Sequence, residues 1–382
     1  MKLLYLTVLL AVLASCNKTP QLKLTVKYPG VKNGVAILKQ ANEIVLSESF
    51  KGGELNISRQ LATPGYYSLS IFDNDKPLQP KKTFDLYLET KEYQIEVSPS
   101  NLPDYPKITT TSAIQNQLSD YYSFAGQRAK VLDYKIDSLV TYLQSQKAAA
   151  LPKKERSIIY ADTRVIQKKR RELDLEILKT YTEKHPQNTI GAHIMAQQYY
   201  FENPKAYNSI FQKFTQDVKD SDDGLKINNK LSTLLGVMTN AKSPDIIGNK
   251  PDGQPFNKSA IKNEVTLVEF WLSSHMVSAL DHQKMVNGII ISDYDRKRFG
   301  ILSVSVDTIA AQWNKVIKQD LLTWPQVSDL KGNSSPNVKN WNITKLPTYF
   351  LVDKNWRIIK SDIDLMDIDE AVHSYFKKHP NL

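Results

Sequence analysis

Three kinds of hydrophobic spacing follow one another along this chain. From about 22 to 98 apolar residues alternate with polar ones: Leu22, Leu24, Val26, then Val35, Ile37, then Ile44, Leu46, then Leu55, Ile57. Tyr67, Leu69, Ile71, then Phe84, Leu86, Leu88, then Ile95, Val97 continue the pattern, broken by Pro29-Gly30, Asn33-Gly34, Gly52-Gly53, Pro64-Gly65 and Asp73-Asn74-Asp75. A period of two in short runs between turn signals predicts an antiparallel β sandwich or barrel.

Past Pro99, Pro103 and Pro106 the spacing changes to three and four. Ile114, Leu118, Tyr121, Tyr122, Ala125, Ala129, Leu132, Ile136, Leu139 and Leu143 mark a long amphipathic helix. Pro152 opens a second helix, in the first turn where a missing N–H costs nothing, and it runs to about Tyr181. Shorter helices are expected over 189–201, 204–218 and 225–239, so 112–243 reads as a helical spacer domain.

The third region, 244–382, begins with Ser243-Pro244-Asp245 and an expected short hairpin turning at Asn249–Gly253. The spacing then predicts a strand (265–271), a helix (276–298), a strand (300–306), a helix (308–319), strands (348–352 and 356–360) and a helix (367–378). Strands alternating with helices and closing on a hairpin fit a layered α/β sheet. The pivotal stretch is Val265 to Leu280, where an apolar strand ends at Ser273-Ser274 and runs into a helix. Met276, Val277, Leu280, Met285 and Val286 give that helix its apolar spacing.

Three segments of this region, in order and spacing, resemble the TlpA/ResA-like branch of the thioredoxin superfamily. They are Leu267-Val268-Glu269-Phe270-Trp271, Leu322-Thr323-Trp324-Pro325, and Leu346-Pro347-Thr348 before Phe350-Leu351-Val352-Asp353. The resemblance covers roughly the last third of the chain. It implies a thioredoxin-like α/β domain, a buried carboxylate at Glu269, a cis peptide before Pro347, and a groove where the backbone at Leu346 pairs with an extended peptide. Trp271, Ser274, His275, Leu346 and Pro347 are the implied binding residues. Where the family has Cys-x-x-Cys, this chain has His275-Met276-Val277-Ser278. The region at 22–98 is similar to the small β domain that often precedes such domains in Bacteroidota-type lipoproteins.

Cysteine usage sharpens this picture. The chain has one cysteine, Cys16. It follows Met1-Lys2, an apolar run from Leu3 to Leu13, and Ala14-Ser15, the layout of a signal peptide too short to span a membrane. Leu13-Ala14-Ser15-Cys16 is similar to a bacterial lipobox, which implies cleavage before Cys16, acylation of its sulfur, and a tether over 16–21. Disulfide exchange needs a thiolate and a sulfur partner, and a lipidated Cys16 leaves the mature chain with neither. His275 and Ser278 therefore stand at degenerate redox positions, and no catalytic residue is assigned. A hydroxyl there would need a base oriented by a third group, for which Glu269 is the only candidate the sequence suggests. A carboxyl buried among apolar neighbours at Glu269 would be expected to have a raised pKa.

The formal charge is +10. A solvated basic surface is the simpler explanation of such a balance, and a lean on anionic headgroups is the alternative. Lys168-Lys169-Arg170-Arg171, with Lys153, Lys154, Arg156 and Arg164 upstream, is a candidate anion patch, for which an ordinary solvated helix face is the commoner explanation. No zinc-ligand spacing, phosphate loop or nucleic-acid signature is present, and His275, His282 and Glu269 do not make a metal set by spacing alone. No cofactor is expected. The chain reads as a multidomain α+β lipoprotein of the cell envelope, anchored through Cys16 and facing the periplasm from the outer membrane. Its expected role is to bind an envelope protein or peptide. Thiol–disulfide oxidoreductase activity and a structural assembly role are the alternatives.

Overall fold

The computed structural model describes residues 21–76, 82–99, 104–288 and 298–380. The leader and Cys16 lie outside them, as does the stretch 289–297 over which the helix expected at 276–298 would extend. The chain forms a mixed α+β structure with several sheets and divides into two compact units. One comprises the residues up to Gln198 with Lys213–Val218, and the other Tyr199–Gln212 with Lys219–Leu382.

The first unit begins with β1 (Leu22–Lys27), β2 (Gly34–Gln40), β3 (Glu43–Ser49), β4 (Glu54–Arg59), β5 (Gly65–Asp73), β6 (Lys82–Leu88), β7 (Glu92–Glu96) and β8 (Lys107–Thr110). They form two four-stranded sheets, ordered β4-β1-β7-β8 and β3-β2-β5-β6. Alternate residues of both sheets, among them Leu24, Val26, Leu69, Leu86 and Tyr93, enter one shared core, as a two-sheet sandwich requires. The antiparallel expectation needs one correction, because β1 pairs in parallel with β7. Ile44, read as inward-facing, is exposed, since a register shift between Leu38 and Lys39 turns the β3 edge outward. Gly34 does not form a turn. It opens β2 where a Cβ would lie 2.2 Å from Val31 and 2.7 Å from the Phe72 carbonyl, so the close approach excludes any side chain.

The same unit carries α1 (Ala113–Leu143), α2 (Gln146–Ala149), α3 (Lys153–Lys184) and α4 (Gly191–Ala196). Ser112 caps α1 by accepting from the Gln115 N–H. The α1–α3 pair is antiparallel: Tyr181 donates to Asp120, and Arg170 to Asp133. Two of the shorter predicted helices come out differently. The one expected to reach Phe201 stops at Ala196, and that over 204–218 is broken into α5 (Pro204–Phe211) and α6 (Gln216–Asp220).

The second unit follows α7 (Asp222–Gly236) with β9 (Val265–Trp271), α8 (Met276–Val286), β10 (Phe299–Ser305), α9 (Ala310–Gln319), β11 (Gln326–Ser328), α10 (Pro336–Asn340), β12 (Thr348–Asp353), β13 (Ile358–Ser361) and α11 (Ile368–Lys378). Its sheet is ordered β11-β10-β9-β12-β13. β9, β10 and β11 run parallel, and β12 and β13 close it as an antiparallel hairpin. β9 is central and buried along its whole length, which explains its continuous apolar run. Val268 and Phe270 face a core with Leu302, Trp341 and Phe350. Val265 and Leu267 face the opposite core with Met285, Leu351, Ile368 and Phe376. This is the strand order and helix placement of a thioredoxin-like sheet, and the Leu346–Pro347 bond is cis. β11 was not foreseen. The hairpin expected to turn at Asn249–Gly253 is present in minimal form, as one antiparallel bridge between Asn249 and Pro255 flanked by bonds from the Lys250 N–H to the Gln254 carbonyl and from the Phe256 N–H to the Gly248 carbonyl; Asn249 also bridges to Ser328.

Candidate functional site

The site is built where β9 ends. The register pairs Thr348 with Phe270, so Pro347 falls beside Trp271 and the chain entering β12 runs along the exit of β9. The loop that follows is held by a carboxylate. Asp307, nearly buried just past β10, accepts from the Ser273 N–H at 3.2 Å and its hydroxyl at 2.6 Å, and from Ser305 Oγ at 2.7 Å. Charge-assisted bonds of this kind fix a loop more firmly than neutral ones. The clamp sets the direction in which Ser274 and His275 leave the sheet.

His275 is the N-cap residue of α8, and its side chain makes no capping bond. The first amides of the helix are left without a side-chain acceptor, and the helix dipole favours negative charge there. His275 is half-buried, with an Nδ1 that has no hydrogen-bond partner among the described residues. Ser274 is exposed. Ser278 is only 1% exposed, and its Oγ also lacks a partner. No base activates that hydroxyl, so the Ser278 position contains no prepared nucleophile.

Beneath the loop lies a buried charged cluster. Glu269 is fully buried on β9; one carboxylate oxygen accepts from Ser303 Oγ, which in turn accepts from Trp324 Nε1 at 2.8 Å. Its other oxygen is 3.3 Å from His282 Nε2, out of line for a hydrogen bond. His282 Nδ1 bonds Asp320 at 2.9 Å. Burial alone would lower the imidazole pKa, but Glu269 and Asp320 outweigh it and hold the group above its ordinary value. Beside them Tyr349 donates to Asp281 at 2.9 Å. Burial first, then Glu269 and Asp281, push the Tyr349 phenol well above its usual range.

The structure therefore brings Glu269, His275, Ser278 and Pro347 into one region, at the end of β9 and the start of α8. Two assignments change. Trp271 is not a groove residue: it is fully buried against Trp313 and Leu322, and edge-on to His282 at 4.6 Å. The Leu346 side chain packs on the core holding Trp341 and Phe350, which leaves its backbone as the available surface. Neither its N–H nor its C=O is bonded to another described residue. His275 and His282 do not converge, because His282 is buried between two carboxylates. Among the described residues no group of three or more His, Cys, Asp or Glu is arranged to hold a metal.

Asp307 and Asp320 were missed. Each comes from a separate element, 34 and 38 residues from its partner, and no local period marks such a pairing. Two cavities have linings that include none of His275, Ser278, Leu346 and Pro347. One of about 930 Å³ in the first unit is lined by Asp85, Tyr105, Tyr122 and Lys130, and one of about 280 Å³ in the second by Asn249, Trp313 and Asn314. In the candidate anion patch, Arg170 is occupied by Asp133 and Asp174.

No family model matches the chain, and no curated protein matches it significantly. Among solved structures, a thiol-disulfide oxidoreductase from Bacteroides fragilis is 26% identical, with TM-score 0.30, over 37% of this chain and 99% of its own. A thiol:disulfide interchange protein from a Bacteroides species is 22% identical, with TM-score 0.32, over 37% of this chain and 90% of its own. A thioredoxin-like protein from Bacteroides caccae is 12% identical, with TM-score 0.41, over 60% of this chain and 87% of its own.

Proposed function

We propose that the second unit is a thioredoxin-like binding module that docks an extended segment of an envelope protein or peptide and does not exchange disulfides. We further propose that the chain is held at the outer membrane, facing the periplasm, by a lipid on Cys16, with the β domain and helical region as the scaffold between anchor and module. The observation that carries the binding reading is the pairing of two features at the end of β9. His275 and Ser278 occupy the start of α8 with no thiol, and the backbone of Leu346 beside cis-Pro347 is unpaired among the described residues.

An exposed backbone N–H and C=O on an extended segment is what strand-addition binding uses: main-chain bonds supply affinity and neighbouring side chains supply selectivity. Such a surface needs no thiol. Ser274 and His275 would border the docked strand, and the Asp307 clamp would keep their loop in one conformation. The Glu269–His282–Asp320 cluster acts in this reading as a support for the loop and helix, since Glu269 and His282 are fully buried and only Asp320 keeps an edge in solvent.

The test has two arms on the purified chain. Insulin reduction by dithiothreitol is expected to proceed at the uncatalysed rate with the chain present. Peptides from an envelope extract or a random library that bind the chain are expected to shift backbone amide signals around 346–348 and 274–275. Catalysed insulin reduction would favour the oxidoreductase alternative. Binding that leaves those signals unmoved would favour an assembly role for the first unit.

A further inference from the structure

The charge surplus of this chain is concentrated in one place. Residues 128–171, the far halves of α1 and α3 with their connection, contain twelve Lys and Arg against four Asp and Glu, a net +8 of the chain's +10. Within that span only Ala129, Ala148 and Thr163 are buried. The two helices thus approach through small side chains and leave every larger one with a face in solvent. The arm is a two-helix hairpin with no large buried apolar side chain of its own.

Its outer surface is patterned. On α3, Lys154, Ile158, Ala161, Val165 and Lys168 recur at intervals of four, three, four and three, which places them in one stripe. The stripe faces away from α1. The side of α3 that meets α1 is the one carrying Thr163 and Arg170, the latter bonded to Asp133. Ile158 and Val165 are each 54% exposed. Lys153, Lys154, Arg164, Lys168 and Lys169 on and beside the stripe are exposed, and none is paired with a carboxylate among the described residues. Arg170, half-buried against Asp133 and Asp174, lies on the opposite side.

We infer that this face of α3 is a docking surface for an anionic lipid bilayer. Two aliphatic side chains are too few for a helix–helix seam, which needs an apolar residue at nearly every stripe position. Unpaired cations around a short apolar strip instead match a negatively charged headgroup layer, with Ile158 and Val165 entering the boundary region. A second copy of the chain would bring like charges together. Each cation near such a surface raises affinity roughly fivefold, and the gain fades within a Debye length of about 8 Å at physiological salt.

The experiment is vesicle flotation of the full chain, with vesicles of phosphatidylcholine alone or with phosphatidylglycerol, across a salt series. Any leader or acyl group contributes equally to every variant, so the readout is the preference for the anionic vesicles. The expected result is a salt-sensitive preference that falls about a hundredfold in Lys154→Gln/Lys168→Gln/Lys169→Gln. Lys315→Gln/Lys318→Gln/Lys339→Gln, elsewhere in the chain, should keep it. Equal binding to both vesicle types, or a preference that survives the α3 triple substitution, would overturn the inference. So would capture of soluble poly-glutamate with no vesicle preference, which would assign the face to an acidic protein.

Discussion

His282 shows how one buried side chain ties the site to pH. Its imidazole lies between Asp320 at 2.9 Å and Glu269 at 3.3 Å, and its pKa is held above the ordinary value. A group whose folded pKa is raised stabilises the fold fully below its unfolded pKa of about 6.5 and loses that contribution as pH rises through the folded value. Thermal unfolding of the native chain should therefore show a fall in stability as pH climbs above that range, and His282→Gln should flatten it. Below that range the substitution should also cost about 3–5 kcal/mol, because it leaves the buried Glu269 carboxylate without the cation that faces it. An unchanged pH profile in the variant would rule out His282 as the titrating group. Residues of this kind are only partly legible in the sequence. Glu269, His275, Ser278 and Pro347 could be located because each lies in or beside one of the short segments that carry the family resemblance. Asp307 and Asp320 could not, since each meets its partner only once β10 and α9 have packed beside β9. Supplying the missing sulfur gives a second check. His275→Cys/Ser278→Cys places a half-exposed thiol at an uncapped helix N-terminus, where the thiolate is favoured, and a second, buried thiol one turn on. That variant should form an internal disulfide and accelerate insulin reduction, in contrast to the native chain. Failure to form the disulfide would mean that the loop no longer holds the two positions in bonding geometry.

At the scale of an element, α8 reverses the usual relation between polarity and burial. Its apolar spacing places the start of the helix correctly, but the helix ends at Val286 rather than near 298, and the spacing assigns the wrong face. Ser278, Asp281, His282 and Met285 turn inward, while Met276 is 75% exposed and Val277 and Leu280 also face out. The reason is electrostatic. His282 and Asp281 have Glu269, Asp320 and Tyr349 waiting for them beneath the helix, and leaving those groups buried and unpaired would cost more than burying three apolar side chains gains. A period-based reading has no access to that trade, because the deciding partners sit on β9, β12 and the end of α9. The consequence can be measured by urea unfolding. Leu280→Lys should change stability by no more than about 0.5 kcal/mol, as a surface substitution does. Met285→Ala, on the same helix but inside the core with Val265 and Leu267, should cost about 2–5 kcal/mol. A large loss from Leu280→Lys would show that the outer face of α8 is packed in solution. The strands fared better: β9 was read to the residue, because a fully buried central strand has no polar face to confuse the pattern. β8 and β11 are four and three residues long, too short for any period to register.

The whole chain carries separate cores, and that organisation sets how it should unfold. The sandwich core, from Leu22 to Val97, contains no residue of the second unit, whose own cores gather on the two faces of β9. Each unit therefore has what it needs to unfold as its own cooperative transition. The five tryptophans happen to separate the two signals, since Trp271, Trp313, Trp324, Trp341 and Trp356 all belong to the second unit. Tryptophan fluorescence reports that unit alone, while far-ultraviolet circular dichroism reports both. Leu86→Ala removes a fully buried side chain from the sandwich and should cost the first unit about 2–5 kcal/mol. In a urea titration the circular dichroism curve should then develop an early phase, with the fluorescence midpoint unmoved. Val268→Ala, in the core beneath β9, should do the reverse and shift the fluorescence midpoint first. If both probes move together for both substitutions, the two cores unfold as one, and the second unit could not be studied apart from the sandwich and its basic helical arm.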